Sequence, residues 1–328
     1  MKKTIMFACL GFLVSVAVAT PVVAQDLKKI TMTIPRNSVF VLSYFGARDA
    51  GIYRKHGIDL EIDARPFKGF MASLPAKETM AATYAGTAAI ARINQGLDWV
   101  IIGGGLTVMQ EVFVRKDAPF KTIADLRGKK FSSWSTGAGA FKAVTAAIMD
   151  GFGIDVQKDT EFVQAAAPAL LKFLERGQVD SMFNISSLTI AAASQPDKFR
   201  SIFSPNAYWK EKTGYPIVWS APIVAWRSWV EEDRDRAKKF VAATHESFKW
   251  LRDPENLNAA VKKYGALAAV KNEREAKTYA KWFSEGRIFL AEWNREVVDS
   301  QWRFLEMAHK HGVLKKVPSK EKVALVLE

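Results

Sequence analysis

The run ITMTIPRNSVFVLSYFGARDAGIYRKHGIDLEI, residues 30–62, reads as one strand–helix–strand unit. Ile30-Thr31-Met32-Thr33-Ile34 alternates apolar and polar side chains as a strand does, and Pro35-Arg36-Asn37-Ser38 ends it with turn chemistry. From Val39 to Lys55, Phe40, Tyr44, Ala47 and Ile52 recur near helical spacing, and His56-Gly57 closes the helix before a second strand, Ile58 to Ile62. Two strands joined by a helix must run parallel, because the crossover returns the chain to the same sheet edge. The expected architecture is therefore α/β.

Working outward, the pattern repeats. Ala81 to Ala85 is apolar, a small-residue helix runs through Ile93, and Trp99-Val100-Ile101-Ile102 reads as a buried strand. Gly103-Gly104-Gly105 lacks the Lys-Ser/Thr of a phosphate loop and reads as a flexible exit from that strand. Glu111 to Val114 is the next strand. Beyond Pro119 a second α/β block begins, with a short helix at Thr122–Leu126, a strand at Lys130–Trp134, and the loop Ser135-Thr136-Gly137-Ala138-Gly139 feeding a helix from Ala140 to about Phe152. A strand at Glu161–Val163, a helix at Pro168–Arg176 and a strand at Ser181–Phe183 follow. Ile217 to Trp226 is apolar and β-branched, as suits a strand returning to the first block. The remainder is helical: Glu231–Leu251, Glu255–Tyr264, Glu273–Ser284 and Trp293–His311.

The amino terminus has the features of a secretory signal. Lys2 and Lys3 precede an apolar run from Ile5 to Ala19, and Pro21 and Val22-Val23-Ala24 form a cleavage site. The run is shorter than the roughly 20 residues a bilayer core requires. Cleavage after Ala24 yields a periplasmic chain without lipid and removes Cys9, the only cysteine of the 328 residues. Disulfides, thiolate metal ligands and a cysteine nucleophile are thereby excluded from the mature chain. The formal charge of +13 falls to +11 with that segment, which carries two lysines and no acid. For an exported protein, such a balance points to an anionic ligand or a solvated surface rather than to nucleic acid. A 304-residue mature chain is large for one core, so two lobes are expected.

Three segments then carry a resemblance. Val114 to Lys130 (VRKDAPFKTIADLRGKK), Asp49-Ala50-Gly51-Ile52-Tyr53 before Gly57-Ile58-Asp59-Leu60, and Leu174-Glu175-Arg176-Gly177-Gln178-Val179-Asp180 stand in the order and spacing of one family. The chain resembles the nitrate/sulfonate/taurine (NitT/TauT, SsuA-like) periplasmic solute-binding proteins of ABC importers. The resemblance implies a type II periplasmic binding fold. Two βα lobes are joined by two hinge strands near Val114 and Ile217–Trp226, and a helical carboxy-terminal region packs on the first lobe. The expected lobes are residues 25–113 with 225–328, and 114–224, after a signal at 1–24. It also implies a monomer that closes on a small molecule and delivers it to an inner-membrane permease and ATPase, with no cofactor and no metal. The ligand stays open, since Pro35-Arg36-Asn37-Ser38 and Gly86-Thr87-Ala88 stand where members differ.

Ligands of parallel α/β sheets lie beyond the carboxyl ends of strands, where helix N-termini present free N–H groups. The candidate contacts are Arg36, Asn37, Ser38 and Phe40; Gly86 and Thr87; Trp134, Ser135, Thr136 and Gly137; Asn184 and Ser186; and Trp219. Arg36 is the one formal charge in those loops and suits a carboxylate or sulfonate, or else is a solvated arginine. The hydroxyls of Ser135, Thr136 and Ser186 can bind ligand oxygens or cap helices. Phe40, Trp134 and Trp219 form an apolar wall or belong to the core. The expected ligand is a small organic anion. A thiamine-pyrimidine precursor and a sensory co-receptor role are the alternatives. An enzyme of the related thiamine-pyrimidine synthase type would need a cysteine-rich motif, and His56, His245, His309 and His311 show no zinc-protease spacing.

Overall fold

The computed structural model describes residues 27–327, so the expected signal lies outside the described residues. β1 (Lys28–Pro35) and β2 (Ile58–Arg65) are parallel, in register from Lys28 opposite Ile58 to Pro35 opposite Arg65. The helix between them is two: α1 (Phe40–Asp49) stops, the chain turns left-handed at Gly51, and α2 (Ile52–Lys55) resumes. Next come α3 (Phe67–Ser73), β3 (Ala81–Thr83), α4 (Gly86–Asn94) and β4 (Trp99–Leu106). The chain then crosses through residues 107–111 into β5 (Val112–Arg115), a 3-10 turn at Ile123–Leu126 and β6 (Lys130–Ser133). It continues through α5 (Gly139–Phe152), β7 (Glu161–Gln164), α6 (Ala167–Glu175), β8 (Ser181–Phe183), α7 (Ser186–Ala193), β9 (Phe199–Phe203) and α8 (Pro205–Thr213). It returns along β10 (Ala221–Trp226). Six helices complete it: α9 (Arg227–Glu232), α10 (Arg234–Trp250), α11 (Pro254–Tyr264), α12 (Glu273–Ser284), α13 (Arg295–Lys310) and α14 (Lys320–Val323).

Two lobes share one strand layout. In the second, the order is β7-β6-β8-β5-β9, with β6, β7 and β8 mutually parallel and β5 antiparallel between β8 and β9. In the first, β10 runs antiparallel between β3 and β4, and β1 lies beside β3, where Thr79 Oγ1 donates to the Thr31 carbonyl at 3.0 Å. Each sheet thus holds, next to its last strand, a strand delivered by the crossing chain.

Gly103-Gly104-Gly105, expected as a strand exit, instead lies inside β4, which is buried along its whole length. The physical reason is room. A Cβ on Gly104 would lie 2.2 Å from the Leu290 carbonyl oxygen, and one on Gly105 would lie 2.1 Å from that of Ala221, so only glycine admits the neighbouring backbones. The Gly104 N–H donates to His245 Nε2 at 3.1 Å, and burial pushes that imidazole down to about 3, with Lys249 adding to the shift. His245 is neutral at pH 7.

The helical carboxy-terminal region packs on the first lobe through α10 and α11, which lie against α1. Ser43 and Ser247 share a buried 2.9 Å hydrogen bond there, and Phe248 stacks on Phe289 at 4.1 Å. α13 extends this packing to α5 and α8, where Trp209 donates to Ser300 at 3.1 Å and meets Phe304 edge-on. The tail then returns to the first sheet as Ala324 bridges Ile101.

Candidate functional site

The carboxyl ends of β1, β3, β6, β7 and β8 each lead into a helix, respectively α1, α4, α5, α6 and α7. The residues preceding these helices are Val39, Ala85, Ala138, Ala166 and Ile185, none of which has a side-chain oxygen. No side chain caps any of the five, and none has an acid in its first turn. The other five helices of eight or more described residues are built the opposite way. Ser204, Asp233, Asp253, Asn272 and Asn294 cap α8, α10, α11, α12 and α13, and the last four also carry acids in their first turns. A capping oxygen normally satisfies one of four orphan N–H donors, and an acid offsets the positive end of the helix dipole. The starts of α1, α4, α5, α6 and α7 therefore present uncancelled positive ends.

Two of them touch. Thr87, in the first turn of α4, packs so tightly on Gly139, the start of α5, that a Cβ on Gly139 would lie 2.5 Å from Thr87 Oγ1. Gly86 is buried against the Trp219 backbone. The loop after β6 is half-buried at Trp134, Ser135 and Thr136 and exposed at Gly137, whose N–H donates to Ser135 Oγ at 3.2 Å. Trp134 stacks on Phe183, with ring centres 5.7 Å apart.

The remaining candidates have other partners. Arg36 is exposed and donates through Nε to the Ala64 carbonyl at 2.6 Å, while its terminal nitrogens have no hydrogen bond or ion pair among the described residues. Asn37 is exposed in a left-handed conformation, with φ 56°, and its N–H donates to the Leu267 carbonyl. Ser38 Oγ donates to the Pro35 carbonyl at 2.7 Å. Phe40 lies in the core of the first lobe against Tyr44 and Phe289. Asn184 is wholly buried, its Nδ2 on the Ala167 carbonyl and its Oδ1 on the Ile185 N–H, so it ties α6 to α7. Trp219 is core too: 1% exposed, donating to the Gln301 carbonyl and packed edge-on against Trp302.

Two residues that sequence reasoning passed over stand here. Gln110, in the crossing segment and 5% exposed, donates through Nε2 to Ser186 Oγ at 3.0 Å, and its Oε1 is buried without a partner. Ser133 Oγ, at the end of β6, is likewise buried and unpartnered. The signal for Gln110 was a lone amide after the apolar pair Val108-Met109 and before Glu111. Beyond β2, Phe67 is exposed to 63%. Among the described residues, no three His, Cys, Asp or Glu side chains are placed to hold a metal ion, and no helix is long and apolar enough to cross a membrane.

The fold is that of known binding proteins. The periplasmic aliphatic sulphonate binding protein SsuA from Escherichia coli superposes with a TM-score of 0.68 at 15% identity, covering 90% of this chain and 91% of that one. The periplasmic nitrate-binding protein NrtA from Synechocystis gives 0.62 at 14% identity, covering 91% and 86%. The desulfurization enzyme DSZB gives 0.58 at 14% identity, covering 91% and 96%, so the same fold also serves catalysis. No curated protein matches the chain by sequence. The sequence model of the NMT1/THI5-like family matches residues 40–257, well over half of the chain, and the chain belongs to that family.

Proposed function

We propose that the chain is the periplasmic substrate-binding component of an ABC importer, taking up a small organic anion between its lobes and delivering it to a permease and ATPase. Five uncapped, acid-free helix starts at the carboxyl ends of parallel strands carry this reading. Their free N–H donors and dipoles suit a carboxylate or sulfonate and disfavour a cation. Arg36 adds a positive charge beyond β1, with its terminal nitrogens open to an anion. Half-buried Trp134 and exposed Phe67 suit an organic body better than bare nitrate. Closure about residues 107–111 and the segment before β10 would bring both lobes onto the ligand. The names of SsuA and NrtA, as periplasmic sulphonate- and nitrate-binding proteins, agree with an exported anion-binding role.

A thiamine-pyrimidine precursor is the second reading. The family name and the flat face of Trp134 favour it. We read the cleft as binding rather than catalytic, because Cys9 is the sole cysteine and His245, partly buried, is held by a backbone N–H.

Thermal-shift and calorimetric titration with small sulfonates, carboxylates, aromatic acids, nitrate and pyrimidine precursors tests the ligand class. A ligand at 100 times its Kd stabilises by about 2.7 kcal/mol, a readily measured shift. An organic anion should give the largest shift and should compact the protein in small-angle scattering. A preference for a neutral or cationic ligand overturns the anion reading.

A further inference from the structure

Gln110 is a buried amide with only one of its two polar atoms bonded. It lies in the segment 107–111 between β4 and β5, whose backbone is held by Thr107 N–H to the Ile288 carbonyl and Val108 N–H to the Ile217 carbonyl. Its amide nitrogen is committed to Ser186 Oγ at the start of α7, and its amide oxygen is buried with no donor. A buried carbonyl left without a partner is a standing penalty, which a bound molecule can remove. Ser186 accepts the Gln110 N–H and keeps its own hydroxyl hydrogen to donate. The pair thus offers one free acceptor and one free donor beside the uncapped N-terminus of α7.

Resting on the reading of this cleft as an anion site, we propose that the ligand is an organic acid bearing a neutral hydrogen-bond donor, a hydroxyl or an amide N–H, that meets Gln110 Oε1. The acid group lies on the helix starts and the Ser186 hydroxyl, and the donor satisfies the amide oxygen. An ammonium does not fit this position, because the positive helix ends repel it and the candidate loops contain no carboxylate. Glu111, the nearest acid in sequence, is ion-paired with Arg287, which also lies over the Trp282 ring at 3.9 Å. Plain alkyl sulfonates and nitrate leave Gln110 unsatisfied and are the poorer ligands. A site built around a polar group rejects an analogue lacking the matching group far more strongly than an apolar pocket rejects an extra one.

The test is calorimetry with matched pairs: 2-hydroxyethanesulfonate against ethanesulfonate, and glycolate against acetate. The hydroxylated member of a pair should bind at least about tenfold tighter. In Gln110→Met the difference within each pair should shrink to about twofold. Equal binding within every pair by the wild type, or full discrimination retained by Gln110→Met, overturns this proposal and leaves the anion reading standing. If no organic anion binds at all, the anion reading fails and this proposal fails with it. The wild-type comparison decides the matter even if the variant does not fold.

Discussion

His245 ties the pH dependence of stability to one hydrogen bond. In the folded chain it accepts from the Gly104 N–H in the middle of β4, and burial holds its pKa at about 3. An unfolded histidine titrates near 6.5, so above that pH both states are neutral and this residue adds no pH dependence. Below it the unfolded state takes a proton that the folded state refuses, and stability falls until about 3 is reached. Between pH 7.5 and 5 the expected loss from His245 is about 2 kcal/mol. His245→Gln keeps an acceptor for Gly104 but cannot titrate. Urea unfolding of both proteins at the two pH values should show this loss in the wild type only, and an unchanged loss in the variant would remove His245 as its source. Such a contact was not legible in the sequence, which placed His245 on a helix and Gly104 in an exit without bringing them together. Trp219 and Phe40 show the same limit. A large aromatic residue beside a strand end reads equally as wall or core, and what decides is the element packed behind it, here α13 for Trp219 and the segment around Phe289 for Phe40.

Among the elements, the contact between the starts of α4 and α5 is a close approach between the lobes. Gly139→Ala should push the two helix starts apart while leaving each sheet intact, because the added methyl meets the Thr87 side chain rather than backbone. Overpacking of this kind costs about 1–3 kcal/mol. Under the proposed closure on a ligand, that cost falls on the closed state alone and weakens binding by roughly 5- to 150-fold. Thr87→Ala in the same chain should recover part of the loss. Calorimetry on the single and double variants checks it, and wild-type affinity in Gly139→Ala would mean that the proposed closure does not draw these helix starts together.

Most elements were legible because their periodicity, flanking Gly and Pro, and caps agreed, as in Ile30–Ile34, Ile58–Ile62 and Glu273–Ser284. β9 was missed because Phe199-Arg200-Ser201-Ile202-Phe203 is an edge strand with only its ends buried. α8 was missed although Ser204 and Pro205 form an ordinary helix start, since its sequence has no apolar stripe. The absence of caps on the inner helices was visible as Val39, Ala85, Ala138, Ala166 and Ile185. It acquires meaning only once the helix boundaries are known to the residue.

For the molecule as a whole, the two sheets have the same layout but not the same history along the chain. All five strands of the second lobe come from one continuous stretch, Val112 to Phe203. The first lobe is divided, because β10 fills the gap between β3 and β4 and arrives more than a hundred residues after them. During refolding, and during emergence from a ribosome, β3 and β4 therefore wait as unpaired edges while the second lobe can already close its sheet. Long-range strand insertion is slow for this reason, since the loop must be ordered before its contacts reward it. Pulse-labelling hydrogen exchange during refolding should protect the amides of Ser132 and Met182 before those of Ala82 and Val100. Simultaneous protection of both sets would show that the lobes fold as one unit. The glycine run adds a hazard to that wait: until Ala221 and Leu290 cover it, β4 is a bare, apolar edge open to any other chain, and a chaperone that shields residues 99–106 would protect the nascent protein at that edge.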